Sequence, residues 1–148
     1  MKIEACESAD HPGWLRLRRA LWPEASREQH GAEMRSLVAN PGRYRQLIAY
    51  SRSREAIGFA EASLRTDYVN GTESSPVAFL EGLYVAPQAR RQGVATALVA
   101  AIADWARSTG CRELASDAGL ENSISHVVHL ALGFEETERV VFFRKRLA

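Results

Sequence analysis

The hydrophobic positions change period along the chain, and those changes divide it into elements. After a short first strand near Lys2 to Glu4, the stretch Pro12 to Leu21 sets Trp14, Leu15, Leu17 and Leu21 on a helical repeat. Trp22-Pro23 ends it, because proline disfavours helix in the residue before it. Ser26 to Ala39 predicts a second helix, with Ser26 as cap and Gln29 at capping-box spacing. The pattern turns strand-like over Tyr44 to Tyr50 and Ala56 to Tyr68, with a turn at Ser51 to Glu55, and Asn70-Gly71 marks another turn. Val77 to Val85 is almost wholly apolar, as a central strand covered on both faces is, except for Glu81 and Gly82. A glycine inside a strand marks a bulge or a close backbone approach, and a carboxylate buried in an apolar strand needs a partner. Gly93 to Arg107 carries the strongest helical pattern, with Val94, Leu98, Ala101, Ile102 and Trp105 on one face and Gly110 as the stop. Glu113 to Asp117 predicts a short strand, Asn122 to Leu132 a helix ended by Gly133, and Phe134 to Arg146 two final strands. The order β-α-α-β-β-β-α-β-α-β-β predicts an α+β fold, a mixed sheet with helices on its faces and a β-α-β crossover around the Gly93 helix.

No stretch is rich enough in Pro, Gly or Ser to link two domains, so the 148 residues are expected to form one domain, 1–148. A chain of this mass exposes roughly 7,500 Å² when folded against about 24,000 Å² unfolded, enough burial for a real core. With 46% hydrophobic and 25% charged residues, disordered and fibrous classes are excluded. The longest apolar run, Ala97 to Ala103, is far below the roughly 20 residues of a membrane span, and the polar, acidic start is unlike a signal peptide; a cytoplasmic location is expected. Cys6 and Cys111 have neither metal spacing nor a disulfide framework, and no metal is expected. A net charge of +1 opposes nucleic acid as a partner, although seventeen of the nineteen basic residues are arginine and cluster locally, as at Arg16, Arg18 and Arg19 and at Arg90 and Arg91. A cluster on a helix face is usually solvated surface, whereas one in a loop can meet phosphate.

The Arg90-Arg91 pair lies in such a loop, Pro87 to Ala95, between the apolar strand and the strongest helix. The unpaired amides of a helix's first turn and its dipole make an anion site, and small residues at Gly93 and Ala95 let a phosphate reach the backbone. Neither GxxxxGK[ST] nor GxGxxG is present.

The segment VAPQARRQGVATAL resembles motif A of the GNAT superfamily of N-acetyltransferases, Q/R-x-x-G-x-G/A, matched by Arg90, Gly93 and Ala95. The later ELASD strand and ENSISHVVHLALGFEETERVVFFRK resemble that family's second acetyl-CoA-binding segment, where an asparagine early in the helix, here Asn122, precedes a terminal Gly-Phe. A longer set, DYVNG-x-x-SSPV-x-FLEG-x-YV between Asp67 and Val85 with the ASD, ISH and GFEETE segments, is similar to the aminoglycoside 6'-N-acetyltransferases. The resemblance implies a mostly antiparallel central sheet and direct transfer of an acetyl group from acetyl-CoA to a primary amine in a ternary complex, with a homodimer and no membrane partner.

It also implies roles. Backbone groups of Leu83 and Val85 would pair with the pantetheine and supply an oxyanion donor, and the amides of Arg91, Gln92, Gly93, Val94, Ala95 and Thr96 would take the diphosphate, with Arg90 and Arg91 adding charge. An amine protonated in water must lose a proton before it attacks, and Glu73, Glu81 and Asp117 are the acids in matching positions to hold ammonium groups and accept that proton. Where many GNAT enzymes place an acid tyrosine for the leaving thiolate, His129 stands; it is read either as the acid or as a core histidine bonded to a carbonyl, and His126 as helix surface. Trp22 and Tyr68 are placed to line an acceptor cleft, and Trp14 to sit in the core. The alternatives are a GNAT enzyme acting on another amine and a non-catalytic acyl-CoA-binding module.

Overall fold

Five strands hydrogen-bond side by side in chain order in this computed structural model, which describes residues 1–148. The elements are β1 (Lys2–Ala5), α1 (Trp14–Leu21), α2 (Arg27–Val38), β2 (Tyr44–Tyr50), β3 (Ala56–Arg65), β4 (Val77–Val85), α3 (Val94–Ser108), β5 (Leu114–Ala115) and α4 (Ser123–Ala131). β1 to β4 run antiparallel, and α3 carries the chain across to β5, which lies parallel to β4. The predicted elements up to α4 are all present, and the capping box at Ser26 and Gln29 closes both of its hydrogen bonds. No helix is long and apolar enough to cross a membrane.

Period-2 alternation divides the sheet between two layers of helix. On one face Val94, Leu98 and Ile102 of α3 pack on Leu47, Ala49, Ala60, Ala62 and Leu80. On the other, Trp14 and Leu17 of α1 and Met34 of α2 pack on Ile48, Tyr50 and Phe59. Between β3 and β4 the register breaks in mid-strand: Glu61 faces Gly82 while Ala62 faces Leu80, so Glu81 is the extra residue of a β-bulge.

The two final strands expected from Phe134 to Arg146 are absent, a correction to the sequence reading: residues 134–148 form neither helix nor strand. Phe134 still packs on the core, and Thr137 lies so close to the 69–72 turn that a Cβ at Gly71 would fall 2.0 Å from its Oγ1. Beyond it Val141, Phe142, Phe143 and Leu147 are exposed. A strand exists only where a neighbour takes its hydrogen bonds, and nothing in this chain pairs with that segment. For the same reason β3 stops at Arg65, short of Tyr68, and β5 shrinks to two residues.

Candidate functional site

β4 loses one neighbour halfway along. β5 pairs with it only at Ala78–Leu114 and Phe79–Ala115, so from Leu80 onward one edge has no strand beside it. The Ala86 N–H bonds the Ile57 carbonyl on the β3 side at 2.8 Å. Backbone alternation turns Tyr84 and Gly82 the same way and sends the peptide groups of Leu83 and Val85 to the open edge. The Val85 carbonyl takes the Arg90 Nε–H at 2.8 Å.

That edge runs into the first turn of α3. Arg91 (φ 62) and Gly93 (φ 81) both adopt left-handed backbone, which curls the loop. The first helical bond joins the Ala97 N–H to the Gly93 carbonyl at 3.0 Å, so the N–H groups of Val94, Ala95 and Thr96 lie in the unpaired first turn. A Cβ at Gly93 would meet nothing within 4 Å, so the space beside this residue is open. Val94 is 3% exposed, a core side chain that offers only its N–H. The Arg90 guanidinium lies 5.8 Å from the Tyr84 ring centre and Gln92 bonds the Gln88 carbonyl, leaving Arg91 and Thr96 exposed at the rim.

On the α1 side of the sheet, the bulge turns Glu81 outward. Arg65 donates to both carboxylate oxygens at 2.8 and 2.9 Å and the Ser63 hydroxyl donates at 2.8 Å. The expected carboxylate buried inside an apolar strand is therefore corrected: Glu81 is exposed, because the extra residue of a bulge escapes both packed faces. Asp117 lies two residues past the end of β5, beyond the last pair with β4, Phe79–Ala115. Asp117 and Tyr68 are exposed. Glu73 is exposed too, and its loop is pinned by Glu113, which accepts from the Glu73 N–H at 2.9 Å and from the Ser74 hydroxyl. The Ser74 bond first, then the Glu73 N–H, holds the Glu113 carboxyl below its ordinary range. The Glu73 carboxylate makes no bond to Glu81 or Asp117. Trp22 packs on the same face, edge-on to Phe59 at 5.8 Å, with its ring tip where a Cβ of residue 82 would stand.

His129 Nδ1 is 2.8 Å from the Ser125 carbonyl, an acceptor only, so this nitrogen carries a proton; Nε2 lies 2.7 Å from the Ser116 hydroxyl. The carbonyl-bonded form foreseen for His129 is thus present, with Ser116 next to Asp117 on its free nitrogen. His126 bonds the Gly119 carbonyl at 2.9 Å on the surface, and Asn122 caps α4 by accepting the Ser125 N–H at 3.1 Å.

A buried polar cluster under the bulge escaped the sequence reading. Glu61 is 5% exposed, Arg18 2% and His30 0%. Glu61 accepts the Trp14 indole N–H at 2.8 Å and two bonds from Arg18 Nη1 at 3.0 and 2.9 Å. Burial, opposed by the Arg18 charge and the Trp14 bond, pushes its carboxyl up to about 7. Arg18 also bonds Glu33. The reading of the Arg16–Arg19 cluster as solvated surface is corrected at Arg18, whose position four residues after Trp14 puts it on the buried stripe. The available signals were that spacing and Glu61 sharing the strand alternation of Phe59.

Comparison with known proteins places this architecture. The profile of the Acetyltransferase (GNAT) family matches residues 12–134. The chain is 52% identical over 145 residues to "Aminoglycoside N(6')-acetyltransferase type 1" of Serratia marcescens, covering 98% of this chain and 99% of that one. It superposes with a TM-score of 0.93 and 49% identity, over the full length of both, on the apo crystal structure of aminoglycoside antibiotic 6'-N-acetyltransferase AAC(6')-IG from Acinetobacter haemolyticus. AAC(6')-Iy in complex with the bisubstrate analog CoA-S-monomethyl-acetylneamine matches with a TM-score of 0.90 and 47% identity, covering 99% of this chain and 98% of that one. With that profile spanning most of its length and with full-length relatives near 50% identity, the chain belongs to the GNAT acetyltransferase family.

Proposed function

We propose that this protein transfers an acetyl group from acetyl-CoA to the 6'-amine of aminoglycoside antibiotics, and so confers resistance to them. The observation that carries this reading is the likeness along the whole chain to AAC(6')-Iy, whose bound bisubstrate analog joins coenzyme A to an acetylated neamine in one molecule.

The residues present fit the cosubstrate. The open edge at Leu83 and Val85 offers peptide groups to the amides of a pantetheine arm. The first-turn amides from Val94 to Thr96, with Arg90 and Arg91 beside them, suit a diphosphate, and the space beside Gly93 leaves room for it. Asn122 retains a free amide NH2 after capping its helix. Acetyl-CoA supplies the activated acetyl group; the protein supplies position and proton handling. Open-edge N–H groups of β4 stand ready to donate to a developing oxyanion. Glu81 has three of about four lone-pair sites filled by Arg65 and Ser63, which fixes its carboxylate and leaves one site for a water or an ammonium proton. Asp117 and Glu73 hold further ammonium groups of the polycation, and Trp22 and Tyr68 present ring faces to its sugars. On the thiolate side, Ser116 and His129 form a hydroxyl-imidazole pair whose Nε2 can take up the proton lost by the amine and pass it through the Ser116 hydroxyl to the thiolate.

The same reading takes residues 1–148 as one domain that works as a cytoplasmic homodimer, with no nucleic acid or membrane partner and no metal. The isolated chain exposes 9833 Å², well above the roughly 7,500 Å² of a compact monomer of this mass. The α4 side chains Ile124, Val127 and Leu130 and the tail side chains Phe142 and Phe143 are more than half exposed, a surface suited to a second copy. Light scattering of the full chain at micromolar concentration is expected to give a dimer; a monomer refutes that part.

Thiol release from acetyl-CoA, followed with kanamycin or tobramycin and with a 6'-hydroxyl drug, tests the activity. Acetylation of the first two alone is expected. Equal rates with all three refute the 6' position, and no acetylation of any refutes the substrate class.

A further inference from the structure

The buried cluster under the bulge has no part in the chemistry described above, yet two of its members, Arg18 and His30, reach Trp22. Arg18 has only donors, so its Nε–H, 3.2 Å from His30 Nδ1, fixes that nitrogen as an acceptor. The ring proton of the neutral imidazole then sits on Nε2 and points at the Trp22 carbonyl 3.0 Å away. The same guanidinium lies 4.9 Å from the centre of the Trp22 ring, within cation–π range. Arg18 is itself held from two sides, by Glu61 on β3 and by Glu33 on α2. Glu61 stands directly opposite Gly82 in the bulge, and the Trp22 ring tip occupies the place of the side chain that Gly82 lacks. Three elements thus fix both the backbone and the ring of one residue that would otherwise follow the loose end of α1 at Pro23.

We propose that Arg18, His30 and Glu61 are positioning residues for the acceptor: they hold the Trp22 indole against Gly82 and thereby set the wall on which the aminoglycoside ring is seated. The proposal rests on the reading of Trp22 as part of that wall. It concerns the acceptor side only, since the edge of β4 and the start of α3 lie outside the cluster's contacts.

The test is steady-state kinetics on the full chain with kanamycin and acetyl-CoA varied in turn, alongside thermal unfolding. His30→Leu removes the bond to the Trp22 carbonyl, and His30→Gln replaces the donor with an amide. The expected result is a KM for kanamycin raised about tenfold in His30→Leu, largely restored in His30→Gln, with the KM for acetyl-CoA within twofold of the parent. Arg18→Lys, which keeps the charge opposite Glu61 but loses the planar cation and the Nε–H, is expected to follow His30→Leu. A role in folding alone would lower the melting temperature and the active fraction without moving KM, and that outcome overturns the proposal. It is also overturned if neither variant folds, which would make the cluster a requirement of the fold. Trp22→Ala separates the two ideas: an unchanged kanamycin KM in that variant refutes the wall itself, whereas a raised one beside an unaffected His30→Leu refutes the positioning.

Discussion

Gly82→Ala perturbs the acceptor wall by a single methyl group. The added Cβ would lie 2.5 Å from Trp22 Cη2, 2.7 Å from Cζ2 and 3.4 Å from Leu21 Cδ2. Carbon atoms rest about 3.5–4.0 Å apart, so the indole must retreat by roughly 1 Å. It has little room, being edge-on to Phe59, beside the Arg18 guanidinium and bonded through its carbonyl to His30. Overpacking of this kind costs about 1–3 kcal/mol, against a gain of about 0.4–1 kcal/mol from stiffening the unfolded chain. The net loss of about 1–2 kcal/mol lowers the melting temperature by about 3–6 °C for a chain of this size. Gly42→Ala is the control, since its Cβ would meet nothing within 4 Å and its backbone is not left-handed. Scanning calorimetry with KM measurements for kanamycin and acetyl-CoA makes the check. A Gly82→Ala enzyme as stable as the control with an unchanged kanamycin KM would refute the close packing of Trp22 on the bulge.

Gly93→Glu places a charged side chain in the open space beside this left-handed position; calorimetric affinity for acetyl-CoA is expected to fall at least tenfold in a chain that still unfolds cooperatively, and unchanged affinity rejects the cradle. Glu61, raised by burial from 4.5 to about 7, binds its proton more tightly in the folded than in the unfolded chain, so its contribution to stability is full below about pH 4.5 and is lost as pH rises through 7. The linkage amounts to at most about 3 kcal/mol, so between pH 4.5 and 7.5 urea titrations are expected to show the parent losing up to that much stability relative to Glu61→Gln, whereas an unchanged difference contradicts it. Asp117→Asn and Glu73→Gln are predicted to raise the kanamycin KM more than they lower kcat, with Glu81→Gln doing the reverse; the opposite split in steady-state kinetics would exchange their roles. His129→Phe, which severs the Ser116 contact, is expected to reduce turnover by about 10²–10⁴ if the pair returns the proton to the thiolate, and near-normal turnover with a lowered melting temperature assigns it to packing.

Local rules fixed much of this protein. Helical and strand periods placed α1 to α4 and β1 to β5, Ser26 and Gln29 announced the capping box, and Gly93 marked the start of α3, because caps, turns and amphipathic faces are decided by residues within a few positions of one another. The resemblance carried by residues 67–138 added the chemistry that these rules could not name. Three things waited for the tertiary structure. Gly82 announced a bulge or a close approach, but how β3 and β4 align decides that Glu81 is the extra residue, faces solvent and meets Arg65. The Arg18–Glu61 pair joins positions 43 residues apart, and Arg18, which read as surface, is buried because it and Glu61 offset each other's desolvation. The alternating residues after Phe134 satisfied the period of a strand, yet a strand is a property of two segments: without a partner to accept its hydrogen bonds, the pattern alone could not make one.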